Sequence, residues 1–69
     1  MNNKNYRIRV GILGASGYTG SELVKLAILH PFIDIIFLSS ERYAGRSIDN
    51  IFPHFKGMKL PKLSKIDSL

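Results

Sequence analysis

The stretch "GILGASGYTGSEL", Gly11 to Leu23, sets glycines at positions 11, 14, 17 and 20 and then passes into a helical pattern. Glycine loses more conformational freedom on folding than any other residue and offers no side chain to pack, so a regular series needs a physical purpose. Bare backbone between a strand and a helix supplies one. It turns tightly, lets a nucleotide pyrophosphate come close, and aims the free N–H groups and positive dipole end of the helix at the phosphates. On this reading Gly14 permits the turn out of the strand, Gly17 lets the backbone approach the pyrophosphate, and Gly20 allows the helix to pack closely on the sheet. Gly11 lies within the strand and relieves crowding where the helix crosses. The spacing is G-x-x-G-x-x-G in place of the commoner G-x-G-x-x-G, which lengthens the loop by one residue at its start, and a preceding strand and following helix are what give the match weight.

Both flanks supply that context. "RIRVGIL", Arg7 to Leu13, alternates and then becomes continuously apolar, as a strand entering a sheet covered on both faces does. From Tyr18 onward Gly20, Leu23, Val24, Ala27 and Ile28 share one helical stripe, with Ser21, Glu22 and Lys25 outside it. His30-Pro31 stops the helix, because the residue before proline is pushed out of the α region and proline has no N–H to donate. "IDIIFLS", Ile33 to Ser39, is short, β-branched and almost wholly apolar, the pattern of a buried parallel strand. Strand, helix and strand make a βαβ unit. Beyond Ser40 the signals weaken. Gly45 to Phe52 reads as a short helix with Ile48, Ile51 and Phe52 inward and Pro53 closing it. The remainder reads as loop with a brief extended piece around Met58 to Leu60 and no third core strand. The fold class is therefore α/β: an incomplete, Rossmann-like dinucleotide-binding fold in which residues 1–69 form the amino-terminal part of the domain and a catalytic domain is absent.

The end of the second strand selects the dinucleotide, since an acidic residue there binds the ribose 2′-hydroxyl of NAD and basic groups accept the extra phosphate of NADP. "SSERYAG", Ser39 to Gly45, carries two hydroxyls and Arg42, which favour NADP, while Glu41 would repel a 2′-phosphate if it pointed inward. The hydroxyls of Ser16 and Thr19 are within reach of phosphate oxygens, and serine and threonine also serve as helix caps.

Composition bounds the remaining possibilities. A chain of 69 residues with 45% hydrophobic content has apolar surface for one small core layer. No apolar run reaches the roughly 18 residues that cross a bilayer, and "MNNKNYRIRV" lacks the apolar stretch of a secretory signal, so a cytoplasmic protein with no membrane partner is expected. The net charge of +5 is scattered from Lys4 to Lys65 with no aromatic and basic stripe along one face, which gives no reason to expect nucleic-acid binding. There is no cysteine, hence no disulfide and no thiolate nucleophile or ligand. His30 and His54 lack companions at metal-ligand spacing, and no metal is expected. His30 falls at a helix C-terminus, where a partly protonated imidazole complements the dipole. His54 has no partner carboxylate placed for it in the sequence. Two parallel strands with one helix leave sheet edges unpaired and one face uncovered, so aggregation, oligomerisation or partial disorder of the isolated chain is expected.

In their order and spacing, "GASGYTGSELVKL", "HP", "LSSERYAG" and "FPHFKG" resemble the amino-terminal region of the N-acetyl-gamma-glutamyl-phosphate reductase family, which is related to aspartate-semialdehyde dehydrogenase. The likeness covers roughly residues 7–57. It implies a much longer NADPH-dependent enzyme of arginine biosynthesis, homo-oligomeric when complete, that reduces an acyl phosphate to a semialdehyde by way of a cysteine thioester. It carries over a cofactor loop of Gly14, Ala15, Ser16, Gly17, Tyr18, Thr19 and Gly20, and a cluster of Ser39, Ser40 and Arg42. For His54, in "FPHFKG", the resemblance implies a place in loop architecture near the cofactor. No catalytic residue carries over, because the cysteine is not in this chain. Relatives often place a basic or small residue directly after the serine pair; Glu41 stands there here. A nucleotide-binding module without catalysis is the competing reading.

Overall fold

The computed structural model describes residues 7–68; most of the opening segment discussed above, residues 1–6, lies outside them. Three strands and one α-helix follow one another as β1 (Ile8–Ile12), α1 (Tyr18–Leu29), β2 (Ile33–Ser39) and β3 (Leu63–Ser64), with short 3-10 turns at Ile48–Asn50, Pro53–Phe55 and Ile66–Ser68. The sheet has the order β1-β2-β3 and both pairings are parallel. A βαβ unit of the expected kind thus occupies the first half of the chain.

The register carries an irregularity with a consequence for packing. Val10 pairs with Ile35 but Gly11 pairs with Phe37, so the ladder slips by one residue and Ile36 falls between paired positions. An extra residue in one strand exchanges the faces beyond it. Ile33 and Ile35 before the slip, and Leu38 after it, all pack toward the helix side, where Ile12, Ala15, Val24, Ala27, Leu38, Ile48, Phe55 and Leu63 form the core. The opposite face of the sheet is uncovered, as expected for two strands with one helix: Ile36 is 51% exposed, although its apolar run reads by itself as a strand buried on both faces. Gly11 also serves a different neighbour from the one expected, since a Cβ there would meet Phe37 across the ladder at 3.4 Å and not the helix.

Helix α1 turns a somewhat different face inward from the stripe read in the sequence. Gly20, Ser21, Val24 and Ala27 are buried, whereas Leu23 and Leu26 are exposed. The reason is the close approach at Gly20, which brings the helix backbone against Gly14 and Ala15 and leaves Leu23 on the flank. Ser21 tolerates burial because its hydroxyl donates to the Tyr18 carbonyl at 3.0 Å, the local helical bond that satisfies a buried serine. Leu23 and Leu26 instead border an apolar cleft along β1 with Val10, Ile12 and Leu13.

The last third of the chain departs most from expectation. An extended piece exists, but it is Leu63–Ser64 and not Met58 to Leu60, and it is a third core strand: Leu63 pairs with Leu38 and is buried. Its partners are all remote in sequence. The Leu63 N–H donates to the Arg46 carbonyl at 2.9 Å, and the Leu63 carbonyl accepts from Gly45 N–H at 2.7 Å. The segment from 45 to 52 forms one 3-10 turn with Ile48 buried, and Pro53 begins a second such turn rather than only ending the first. His30 sits beyond the end of α1, as expected, and its Nδ1 accepts the Phe32 N–H at 3.2 Å, which ties the ring to the following turn.

Candidate dinucleotide site

The loop between β1 and α1 is held in shape from β2. Gly14 adopts φ +67°, a left-handed conformation that favours glycine. Its N–H donates to Ser39 Oγ at 2.9 Å. The next N–H, of Ala15, donates to the Ser39 carbonyl at 2.8 Å. A turn closes when Gly17 N–H donates to the Gly14 carbonyl at 3.0 Å. A third link joins Ser16 Oγ to Ser40 Oγ at 2.7 Å, and Ser40 Oγ also accepts the Tyr43 N–H at 3.1 Å. The carboxyl end of β2 therefore grips the glycine loop at three successive residues.

The start of α1 is left open in consequence. Its N-cap is Gly17, with extended backbone and no side-chain cap, and no acidic residue lies in the first turn. No acceptor is found among the described residues for the N–H groups of Ser16, Tyr18 and Thr19. Unpartnered donors at a helix start, reinforced by the dipole, attract anions. A Cβ at Gly17 would meet nothing nearer than the Gly14 carbonyl oxygen at 3.5 Å, whereas a Cβ at Gly20 would collide with Gly14 and Ala15 backbone. Gly20 is thus required by the fold itself, while no neighbour in the chain demands glycine at position 17.

The seven loop residues read as cofactor contacts divide accordingly. Ser16, Gly17 and Tyr18 line a cleft of about 430 Å³ together with Arg42, Tyr43, Ile51 and Phe52, within the size range of small-molecule sites. Thr19 is exposed on the first turn and makes no capping bond. Ala15 is wholly buried in the core, and Gly20 is buried under the helix. Gly14 has its N–H engaged by Ser39. These three shape the loop. Ser39 and Ser40 are 4% and 2% exposed and their hydroxyls are occupied internally, so they also build the site from behind. Arg42 does reach the cleft, with its guanidinium carbon 5.6 Å from the centre of the Tyr43 ring, a cation–π distance.

Glu41 takes the other direction. Its carboxylate accepts the Ile66 N–H at 3.3 Å, and it is not among the residues lining the cleft. Sequence reasoning missed Tyr43, Ile51 and Phe52 as cleft walls; the adjacency of Tyr43 to Arg42 was the available signal, while Ile51 and Phe52 read only as core. His54 packs on Phe55 with ring centres 4.3 Å apart and borders Lys25, Ile28 and Leu29 of α1; its ring also lies 5.9 Å from that of Phe52, a wall of the cleft, without lining the cleft itself. Among the described residues no group of three His, Cys, Asp or Glu side chains could hold a metal ion.

A parallel βαβ unit, a glycine turn gripped by the second strand and an open helix start define a nucleotide-binding domain of Rossmann type. The profile described as "Semialdehyde dehydrogenase, NAD binding domain" matches residues 9–68. The chain belongs to this family of dinucleotide-binding oxidoreductase domains. Among curated proteins, it is 52% identical over 61 residues to N-acetyl-gamma-glutamyl-phosphate reductase of Ruegeria pomeroyi, covering 88% of this chain and 18% of that one. The corresponding protein of Afipia carboxidovorans is 49% identical over 61 residues, 88% of this chain and 17% of the relative. A probable N-acetyl-gamma-glutamyl-phosphate reductase, chloroplastic, of Arabidopsis thaliana is 46% identical over 59 residues, 86% of this chain and 15% of the relative. The chain thus spans less than a fifth of the length of these relatives.

Proposed function

We propose that this chain is the cofactor-binding part of an NADP-dependent reductase that converts N-acetyl-gamma-glutamyl phosphate to the corresponding semialdehyde, a step of arginine biosynthesis. The observation that carries the proposal is the convergence of unpartnered donors and Arg42 on one cleft: the free N–H groups of Ser16 and Tyr18, with bare Gly17 between them, on one side, and Arg42 and Tyr43 on the other. The open space above Gly17 fits a diphosphate, and a guanidinium at the end of β2 fits a 2′-phosphate.

The roles divide between the residues. The N–H groups of Ser16, Tyr18 and Thr19 hold the diphosphate, and the Ser16 hydroxyl adds a donor beside them. Arg42 holds the 2′-phosphate. Glu41 accepts the Ile66 N–H and does not line the cleft, which supports the reading of NADP over NAD. Tyr43, Ile51 and Phe52 supply apolar wall for the adenosine half. The bound dinucleotide supplies a hydride. No cysteine is among the 69 residues, so this chain binds and orients the cofactor and contributes no thiolate.

The cellular setting that accompanies this reading is the cytosol; no helix among the described residues is long and apolar enough to cross a membrane. The testing experiment is calorimetric titration of the chain with NADPH and NADH, with Gly17→Val as control. Binding of NADPH in preference to NADH, lost in the variant while the circular dichroism spectrum is retained, is the expected result. Equal binding by wild type and variant refutes the role of Gly17, and preference for NADH refutes that of Arg42.

A further inference from the structure

Ser40 is 2% exposed, yet its hydroxyl touches both halves of the cleft, through Ser16 Oγ at 2.7 Å and the Tyr43 N–H at 3.1 Å. A serine hydroxyl has one proton to donate and two lone pairs to accept with. The Tyr43 N–H occupies one of the Ser40 lone pairs. Were Ser16 to donate to Ser40 as well, the Ser40 proton would be left buried with no other acceptor among the described residues. An unmade bond of that kind carries the full desolvation penalty of the group. With Ser40 donating to Ser16, the buried Ser40 hydroxyl is satisfied both as donor and as acceptor, and of the two hydroxyl protons only that of Ser16 is left over. Ser16 is only half-buried and borders the cleft, so its proton has the cleft to serve.

We propose that Ser40 is a positioning residue for phosphate binding: it donates to Ser16 Oγ and thereby commits the Ser16 proton to an anion in the cleft. The chain of donors runs from the Tyr43 N–H through Ser40 and Ser16 toward the anion, and hydrogen bonds in such a series polarise one another. The same serine fixes the backbone that carries Arg42 and Tyr43, so the diphosphate loop and the 2′-phosphate turn share one hinge point. This inference rests on the reading of the cleft as a nucleotide site. It assigns to a buried serine, which has no room to touch the ligand, control over a donor that does.

The test uses ADP as the anionic probe and adenosine as the uncharged one, titrated into the chain and into Ser16→Ala, Ser40→Ala, Ser40→Thr and the Ser16→Ala/Ser40→Ala double variant. A hydrogen bond to a charged group contributes enough for removal of Ser16 to weaken ADP binding by roughly tenfold. Ser40→Ala is expected to weaken it by about fivefold to tenfold with adenosine binding unchanged, Ser40→Thr to restore it, and the double variant to bind no worse than Ser16→Ala, since contacting groups in one network are non-additive. Ser40→Ala binding ADP like wild type, or the double variant losing the product of the single losses, overturns the proposal. If Ser40→Ala loses its amide dispersion in NMR, Ser16→Ala decides: the Tyr43 amide resonance must shift through Ser40, and an unmoved resonance overturns the proposal. Failure of wild type itself to bind ADP or NADPH would instead refute the nucleotide reading.

Discussion

Two glycines separated by three positions are expected to respond oppositely to the same added methyl group. At Gly20 a Cβ would lie 2.6 Å from the Gly14 carbonyl carbon and 2.9 Å from Ala15 Cα, with the Gly14 carbonyl oxygen nearer still. Non-bonded carbons settle at about 3.5–4.0 Å, so the helix or the loop must move by roughly 1 Å. The obstruction is backbone on both sides and has no rotamer by which to yield. Such a displacement opens the contacts of Val24 and Ala27 with Ile12 and Leu38 in the core. Overpacking of this kind costs about 1–3 kcal/mol and occasionally more, and the helix-propensity gain of alanine over glycine, about 1 kcal/mol, only partly offsets it. We expect Gly20→Ala to lower stability by roughly 1–2 kcal/mol, the upper part of the net range because backbone on both sides cannot yield, which for a domain of this size corresponds to a fall in Tm of about 4–16 °C.

At Gly17 the same methyl would find the Gly14 carbonyl oxygen at 3.5 Å, an ordinary contact, and a backbone of φ −88° that alanine adopts freely. The reduced entropy of the unfolded chain contributes about 0.4–1 kcal/mol in favour of alanine, and the poorer N-cap behaviour of alanine removes a similar amount. Gly17→Ala is therefore expected to melt within a few degrees of wild type while binding NADPH less tightly, because the methyl occupies the approach to the free N–H groups. Thermal denaturation followed at 222 nm, with NADPH titration of each protein, measures both effects. A Gly20→Ala protein that melts like wild type would refute the close-packing argument, and a Gly17→Ala protein that is destabilised as strongly as Gly20→Ala would show that the two glycines do not divide the work as described.

Four further substitutions test the same geometry. Ser39→Ala leaves the Gly14 N–H without its acceptor and is expected to lower stability by about 1–3 kcal/mol, measured by urea denaturation with the midpoint compared at unchanged slope. Glu41→Gln is expected to leave the ratio of NADPH to NADH affinity unchanged, since the carboxylate faces Ile66, whereas Arg42→Ala should lower that ratio by tenfold or more if a charge-assisted bond to the 2′-phosphate is lost; competition titration reads both. Leu26 is 62% exposed beside the apolar cleft along β1, so Leu26→Lys is expected to leave the circular dichroism spectrum unaltered and stability within about 0.5 kcal/mol of wild type, measured by thermal denaturation.

Much of the site was legible because its requirements are local. Gly14 needs a left-handed backbone and Gly20 needs a bare α-carbon, and both demands show in the sequence as glycines between an apolar run and a helical stripe. Proline after His30 ends the helix by its own covalent structure, and the β-branched run from Ile33 has no rival conformation of equal merit. The position of the helix start, the existence of the βαβ unit and the candidate anion loop all followed from such near-neighbour effects.

What remained hidden depends on residues distant in the chain. The two-residue strand Leu63–Ser64 has no periodicity to read; it is extended because β2 offers a free edge and because Gly45 and Arg46 bond to Leu63. The slip between Val10 and Gly11, which brings Leu38 to the helix side, is a property of two strands together and of neither alone. The inward face of α1 was likewise decided by one backbone contact at Gly20, which left Leu23 outside and Ser21 buried. In the site, the sequence by itself determined that glycines, serines and an arginine would gather at the carboxyl ends of two strands. Only the tertiary structure decided that Ser39 and Ser40 face the loop while Arg42 faces the cleft and Glu41 the 3-10 turn, because side-chain direction at a strand end is set by the hydrogen bonds that neighbouring segments offer.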